Sequence, residues 1–184
     1  MENNFFTTLK SLQKTIDTYW NIGEHSGQFL NLLIKSLNCK TVLEIGTSNG
    51  YSGIWMAEAL AKNKGLLYTM ESHKKERFGL AKKNFEKAKL TKNITQILGH
   101  APEAIPSTPK FFDLILMDAT KHEYCDYLEA LAFRTKKNTI IIADNIISHK
   151  KELKSFTQKI SALKNFESFT FNIGKGLLIA IRTS

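Results

Sequence analysis

Five short apolar runs in this chain alternate with stretches of helical periodicity, and four of the five end at or beside an acidic residue. Thr41–Ile45, Gly65–Met70, Ile94–Leu98, Phe111–Met117 and Asn138–Ala143 are rich in β-branched and large aliphatic side chains, as buried strands are. Between them the spacing predicts helices over Tyr51–Ala61, His73–Leu90 and Glu123–Phe133, and a short helical turn near Pro102–Ile105. Strands alternating with helices require parallel βαβ units, hence an open α/β sheet covered on both faces. A further helix carries Leu153, Phe156, Ile160 and Leu163 on one face. Phe166–Asn172 and Leu177–Arg182 then read as a hairpin joined across Gly174-Lys175-Gly176, which would place one antiparallel strand in the sheet.

Ahead of the first strand, Phe5, Leu9, Leu12, Ile16 and Tyr19 fall at helical spacing. Asn21–Glu24 reads as a turn about Gly23, and Phe29, Leu30, Leu33 and Leu37 mark one face of a second helix. These segments are expected to flank or cover the core, not to form a second domain. A chain of 184 residues suits one domain with a substantial core, and no repeat, low-complexity stretch or linker divides it. No apolar run approaches the ~18–20 residues of a membrane span. MENNFFTTLK lacks the basic and apolar regions of a secretory signal. Cys39 and Cys125 are too few and too far apart for a disulfide framework or a zinc site, so a reducing, cytoplasmic setting is expected. The net charge of +9 fits an RNA, nucleotide or membrane-surface partner, or simply a lysine-rich solvated surface. Much of the excess lies between Lys74 and Lys92, spread around a predicted helix, which favours the solvated surface.

In an open α/β sheet, ligands bind beyond the carboxyl ends of the strands. Glu44, Glu71, Asp118 and the Asp144-Asn145 pair all fall there. Any one of them could be a helix cap; four on one edge are harder to dismiss. The first loop, Glu44-Ile45-Gly46-Thr47-Ser48-Asn49-Gly50, is not the G-x-G-x-x-G of dinucleotide sites, because position 48 is serine and position 51 tyrosine. Gly46 and Gly50 let a ligand approach the backbone. Ser52 could hydrogen-bond a carboxylate. Glu44 would repel a pyrophosphate but attract an ammonium, directly or through water. Glu71 is placed to accept hydrogen bonds from a ribose diol. A zwitterionic amino acid joined to a nucleoside fits best, which suggests S-adenosylmethionine.

VLEIGTSNGYS, YTMES, LILMDATKHEY and IIADNIISH together resemble the successive motifs of the catechol and caffeoyl-CoA O-methyltransferase superfamily. These are class I, metal-dependent enzymes that use S-adenosylmethionine. The resemblance runs from about Gly23 to the C-terminus. Its first motif is shared by many methyltransferases, whereas Asp-x-x-Lys followed one strand later by Asp-Asn is much more specific. It implies a single methyltransferase domain over 1–184, with residues 1–38 as N-terminal helices flanking the site and 39–184 as a Rossmann-like core. The implied sheet is seven-stranded and mostly parallel, of order 3-2-1-4-5-7-6, with an antiparallel C-terminal strand. Gly46 and Ser52 would hold the methionine part with Glu44 nearby, and Glu71 the ribose hydroxyls. His100 and Ala101 would lie beside the adenine; the alternative for His100 is a surface loop residue. Thr47, Ser48, Gly50, Tyr51, Ser72 and Asp118 complete the implied cofactor contacts. Asp118, Asp144 and Asn145 match the metal ligands, and Lys121 matches the catalytic base. Two carboxylates and an amide oxygen are hard ligands suited to Mg²⁺, with Ca²⁺ or Mn²⁺ as alternatives. His122 is close by, but such a donor set does not need it. The reaction implied is methyl transfer to a hydroxyl of a catechol-like or other small phenolic acceptor, leaving S-adenosylhomocysteine.

The pattern departs from the family at several points. Thr120 stands where many relatives have a second aspartate, and His100 where many have aspartate. The segment after Asn145 is short, so the acceptor pocket is expected to be open, or completed by the N-terminal helices or a second subunit. The family favours a homodimer. Some relatives methylate a hydroxylated uridine in transfer RNA, and the basic surface keeps that acceptor as an alternative. No aromatic–basic RNA motif is visible, so it ranks below small phenolics. A nicotinamide-dependent oxidoreductase and a non-catalytic S-adenosylmethionine-binding protein rank lower still, given the missing glycine fingerprint and the intact Lys121 and triad.

Overall fold

The computed structural model describes residues 4–184. Met1–Asn3 and the side chains of Lys74 and Lys75 lie outside that description, and with them part of the lysine excess. Seven strands form one sheet: β1 (Thr41–Ile45), β2 (Leu66–Glu71), β3 (Ile94–Leu98), β4 (Leu114–Met117), β5 (Ile140–Ala143), β6 (Phe166–Phe171) and β7 (Leu177–Arg182). Their order is β3-β2-β1-β4-β5-β7-β6. β1 to β5 run parallel, and β7 is antiparallel to both β5 and β6.

Because side chains alternate along a strand, each central strand feeds two cores. Val42, Leu67, Leu114, Leu116 and Ile142 pack on one face, under α1 (Asn4–Gln13), α3 (Glu24–Ser36), α4 (Tyr51–Asn63) and α5 (Gly79–Lys87). Leu43, Ile115, Met117, Ile141 and Ala180 pack on the other, against α6 (Ala101–Ala104), α7 (Tyr124–Ala130) and α8 (Lys154–Ala162). Burial on both faces is why these strands read as unbroken apolar runs. Among the described residues no helix is long and apolar enough to cross a membrane.

The helices differ from the sequence reading in four places. The predicted Phe5–Tyr19 helix is broken: α1 ends at Gln13 and a separate turn, α2 (Ile16–Tyr19), follows. At the break, Thr15 sends both its amide (3.0 Å) and its hydroxyl (2.8 Å) to the Leu12 carbonyl, a local turn that competes with the helical ladder. The buried face of α3 is rotated from the predicted one. Asn31 donates to the Trp55 carbonyl (2.7 Å) and to Glu58 (2.9 Å), so Gly27, Leu30 and Ile34 turn inward and Leu37 is left exposed. The predicted His73–Leu90 helix opens with a wide turn over Lys74–Phe78, in which the Phe78 amide reaches the His73 carbonyl at 3.2 Å. The predicted Glu123–Phe133 helix starts from a 3₁₀ turn at Lys121–Glu123 and stops at Ala130.

Candidate functional site

Strand register explains why the acids of the four motifs do not have equal status. Val42 lies opposite both Leu67 and Leu114, and Leu114 opposite Ile140. Counting forward, Gly46, Glu71, Asp118 and Asp144 share one rung at the carboxyl edge, whereas Glu44 lies two residues deeper. A cavity of about 540 Å³ opens at that edge.

Glu44 shares the parity of Val42 and so points into the core beneath α4. It is fully buried, with the Thr69 hydroxyl donating to Oε2 at 2.5 Å and the Ser52 hydroxyl donating to Oε1. Burial pushes its carboxyl up to about 8 against the pull of those hydroxyls; the charges of Asp118 and Glu71 add to the rise. It does not line the cavity. When Glu44 is ionised, Ser52 spends its proton on it and presents lone pairs to the cavity, a wall suited to an ammonium.

Gly46 reaches the cavity edge at φ +103°, and a Cβ there would stand 2.2 Å from the Asp118 carbonyl oxygen. Only glycine fits. Thr47, Ser48 and Ser52 line the cavity beside it, while Gly50 and Tyr51 shape the helix start without reaching the wall. Glu71 accepts from the Ser48 amide (2.8 Å) and the His73 amide (2.9 Å). Both of its oxygens keep lone pairs for a diol. Ser72, His100 and Ala101 continue this wall. His100 sits between Glu103 (2.5 Å) and Glu123 (3.0 Å), and those carboxylates raise its pKa.

The other half of the edge carries the proposed chemistry. Lys121 Nζ lies 2.9 Å from Asp118 Oδ1 and 3.2 Å from the Tyr124 hydroxyl. That hydroxyl donates to the Met117 carbonyl at 2.9 Å, fixing the end of β4. Burial, with the nearby charges of Asp118 and Asp144, raises the Tyr124 phenol well above its ordinary value, so it stays a donor. Asp144 is 2% exposed and lies just behind the wall; Asn145, at φ 70°, lines it. Burial, and then the charge of Asp118, pushes Asp144 up to about 7.

Asp144 Oδ1 is buried without a hydrogen-bond partner. A carboxylate oxygen left so, beside a second carboxylate, is costly unless a cation offsets both terms. Among the described residues no cluster of three or more His, Cys, Asp or Glu is placed to hold a metal. The set here is instead two carboxylates and an amide oxygen, hard donors that fit Mg²⁺ or a similar divalent cation. His122 stands at the rim of the cavity, its side chain 80% exposed.

Within the N-terminal segment expected to flank the site, sequence reasoning did not single out a strap along the Ser48 side of the cavity. The Ser48 hydroxyl donates to the Tyr19 carbonyl at 2.9 Å, so Tyr19–Ile22 lies along the cavity. Arg77 stacks over the Trp20 ring, 5.4 Å from its centroid. It also missed Tyr124, whose only sequence signal is its place three residues after Lys121.

The chain is similar to known O-methyltransferases. A catechol O-methyltransferase from Niastella koreensis is 37% identical over 137 residues, covering 72% of this chain and 61% of that protein. Caffeoyl-CoA O-methyltransferase 1 of Arabidopsis thaliana is 34% identical over 137 residues, covering 70% of this chain and 52% of that protein. The chain thus spans roughly three fifths or less of these relatives' lengths. The structure of a Bacillus cereus O-methyltransferase, solved in complex with SAH, matches at a TM-score of 0.81 and 25% identity over 96% of this chain and 91% of that one. An SAH-bound Podospora anserina methyltransferase shares the fold at a TM-score of 0.89 and 18% identity, over 100% of this chain and 89% of that one. The family model described as O-methyltransferase matches residues 3–175, nearly the whole chain, and this protein belongs to that family.

Proposed function

We propose that this protein transfers the methyl group of S-adenosylmethionine to a hydroxyl of a catechol-like acceptor, using a divalent cation held by Asp118, Asp144 and Asn145. One observation carries the reading: Lys121 is held against Asp118 at the same edge where Asp144 Oδ1 lies buried and unpaired. The naming of relatives as catechol and caffeoyl-CoA O-methyltransferases supports it.

When bound, the donor supplies an electrophilic methyl group, and the cation lowers the cost of placing negative charge on the acceptor oxygen. The chain's own residues position and deprotonate. Where Glu44 is ionised, Ser52 donates to it and offers lone pairs to the ammonium; Glu71 offers them to the ribose hydroxyls. The Tyr19–Ile22 strap with Trp20 and Arg77 covers that half of the cavity and limits water. Lys121 takes the acceptor's proton. It can do so only as the neutral amine, so its ammonium must first lose a proton to solvent, which ends the ion pair with Asp118. Tyr124 keeps Nζ in place through that change. Most of the acceleration comes from this alignment of two reactants.

Incubation with methyl-labelled S-adenosylmethionine, a divalent cation and catechol should give a labelled mono-O-methyl ether. Absence of label from every catechol and phenol tried would defeat the reading. The comparisons lend no support to the transfer-RNA alternative. Bulk transfer RNA belongs in the same assay, because labelling of RNA alone, lost on a mild rise in salt, would restore it.

A further inference from the structure

The turn between β6 and β7 brings to the acceptor side a lysine that neither the motifs nor the proposed chemistry uses. β7 runs antiparallel to β5 with Leu178 opposite Ala143, so the residues before Leu177 stand at the carboxyl end of β5, beside Asp144 and Asn145. The turn is pinned there. The Ile147 and Ser148 amides each donate to the Lys175 carbonyl at 3.1 Å, and the Ile146 amide donates to that of Gly176 at 3.0 Å. Gly176, at φ +94°, packs so closely that a Cβ would come within 2.6 Å of the Ile147 nitrogen.

Lys175 therefore has a fixed backbone, a side chain on the cavity wall, and no ion-pair partner among the described residues. Lys121, in contrast, is already taken by Asp118. The remaining groups on this wall are His149, whose Nδ1 is 2.9 Å from the Ser148 hydroxyl, His122, and Glu152, its one further acid. With a divalent cation offsetting Asp118 and Asp144, and Lys121 neutral when it acts as base, Lys175 is the positive side chain left on this wall, with Glu152 as its counterweight.

We propose that Lys175 selects the acceptor: its ammonium pairs with a carboxylate carried on the ring of a dihydroxyaryl acceptor, so that carboxylated catechols are preferred to neutral ones. The inference rests on the methyl-transfer reading above. Its chemistry is simple. A flexible four-carbon stem on a rigid turn gives a point charge that can follow a ring substituent while the hydroxyls stay at the triad.

The test compares 3,4-dihydroxybenzoate with catechol in wild type, Lys175→Gln and Lys175→Arg. It measures kcat/KM for each acceptor and, independently, the Kd of 3,4-dihydroxybenzoate by calorimetry in the presence of S-adenosylhomocysteine and Mg²⁺. The benzoate-to-catechol ratio of kcat/KM should favour benzoate in wild type, fall about fivefold to tenfold in Lys175→Gln, as for a partly exposed charge pair, and survive in Lys175→Arg. The Kd should weaken in Lys175→Gln by a similar factor. A ratio and Kd within twofold of wild type in Lys175→Gln would overturn this inference alone. Failure of wild type to methylate either acceptor would defeat the proposed reaction, and the inference with it.

Discussion

Replacing Glu44 by glutamine removes a buried ionisable group while keeping its shape, and its effect should appear as a changed dependence of stability on pH. The unfolded chain releases this proton near 4.5 and the folded chain only near 8, because the carboxyl is sealed under α4. Between those values the unfolded state binds fewer protons, so wild-type stability falls as pH rises and levels off above about 8. Each pH unit in that window costs up to about 1.4 kcal/mol, so from pH 5 to pH 8 wild type should lose about 3 kcal/mol relative to Glu44→Gln. Asp144, raised for similar reasons, titrates in both proteins, and the difference between the two curves isolates Glu44. At pH 5 the two proteins should be close in stability, within roughly 1 kcal/mol, because the protonated Glu44 already requires Ser52 or Thr69 to accept, as the new amide does. Urea unfolding at pH 5, 6, 7 and 8 reads this directly. Parallel stability curves for the two proteins would refute the reasoning.

Two further outcomes follow from the same geometry. Gly46→Ala places a Cβ 2.2 Å from the Asp118 carbonyl at a φ that alanine resists, so thermal unfolding should show a loss of roughly 3 kcal/mol or more. An unchanged Tm would mean that the loop and β4 do not meet as described. Tyr124→Phe removes the hydroxyl between Lys121 and the Met117 carbonyl. It should cost about 1–2 kcal/mol in urea unfolding. It should also lower kcat about tenfold with little change in KM for S-adenosylmethionine, as befits a residue that positions the base; an unchanged kcat would remove Tyr124 from that role.

The sheet was legible because each central strand is buried on both faces and leaves an unbroken apolar run. β1 and β3 begin and end where the runs do, at Thr41–Ile45 and Ile94–Leu98. The run at Phe111 was too long, because Asp113 accepts from the Lys40 and Thr41 amides (2.8 and 3.0 Å) and β4 begins only at Leu114. Helix faces were less legible: polar anchors such as Asn31 and side-chain turns such as Thr15 override apolar spacing. In the site, the acids at strand ends mark the edge at which the cavity opens. What periodicity could not show is register, which sets Glu71, Asp118 and Asp144 on one rung with Gly46 and drops Glu44 two residues below it. The strap and Lys175 were hidden for a related reason. Each depends on which segments meet across the sheet edge, a property of topology and not of local composition.

The most direct test of the central claim is methyl transfer from S-adenosylmethionine to catechol by protein stripped of divalent cations, before and after Mg²⁺ is restored, in wild type and Asp144→Ala. Wild type should be inactive when stripped and regain turnover with Mg²⁺, while Asp144→Ala stays inactive in both conditions and binds S-adenosylhomocysteine as a folded protein should. Full turnover in the stripped wild type, or in Asp144→Ala, would contradict the assignment of Asp118, Asp144 and Asn145 as the cation site.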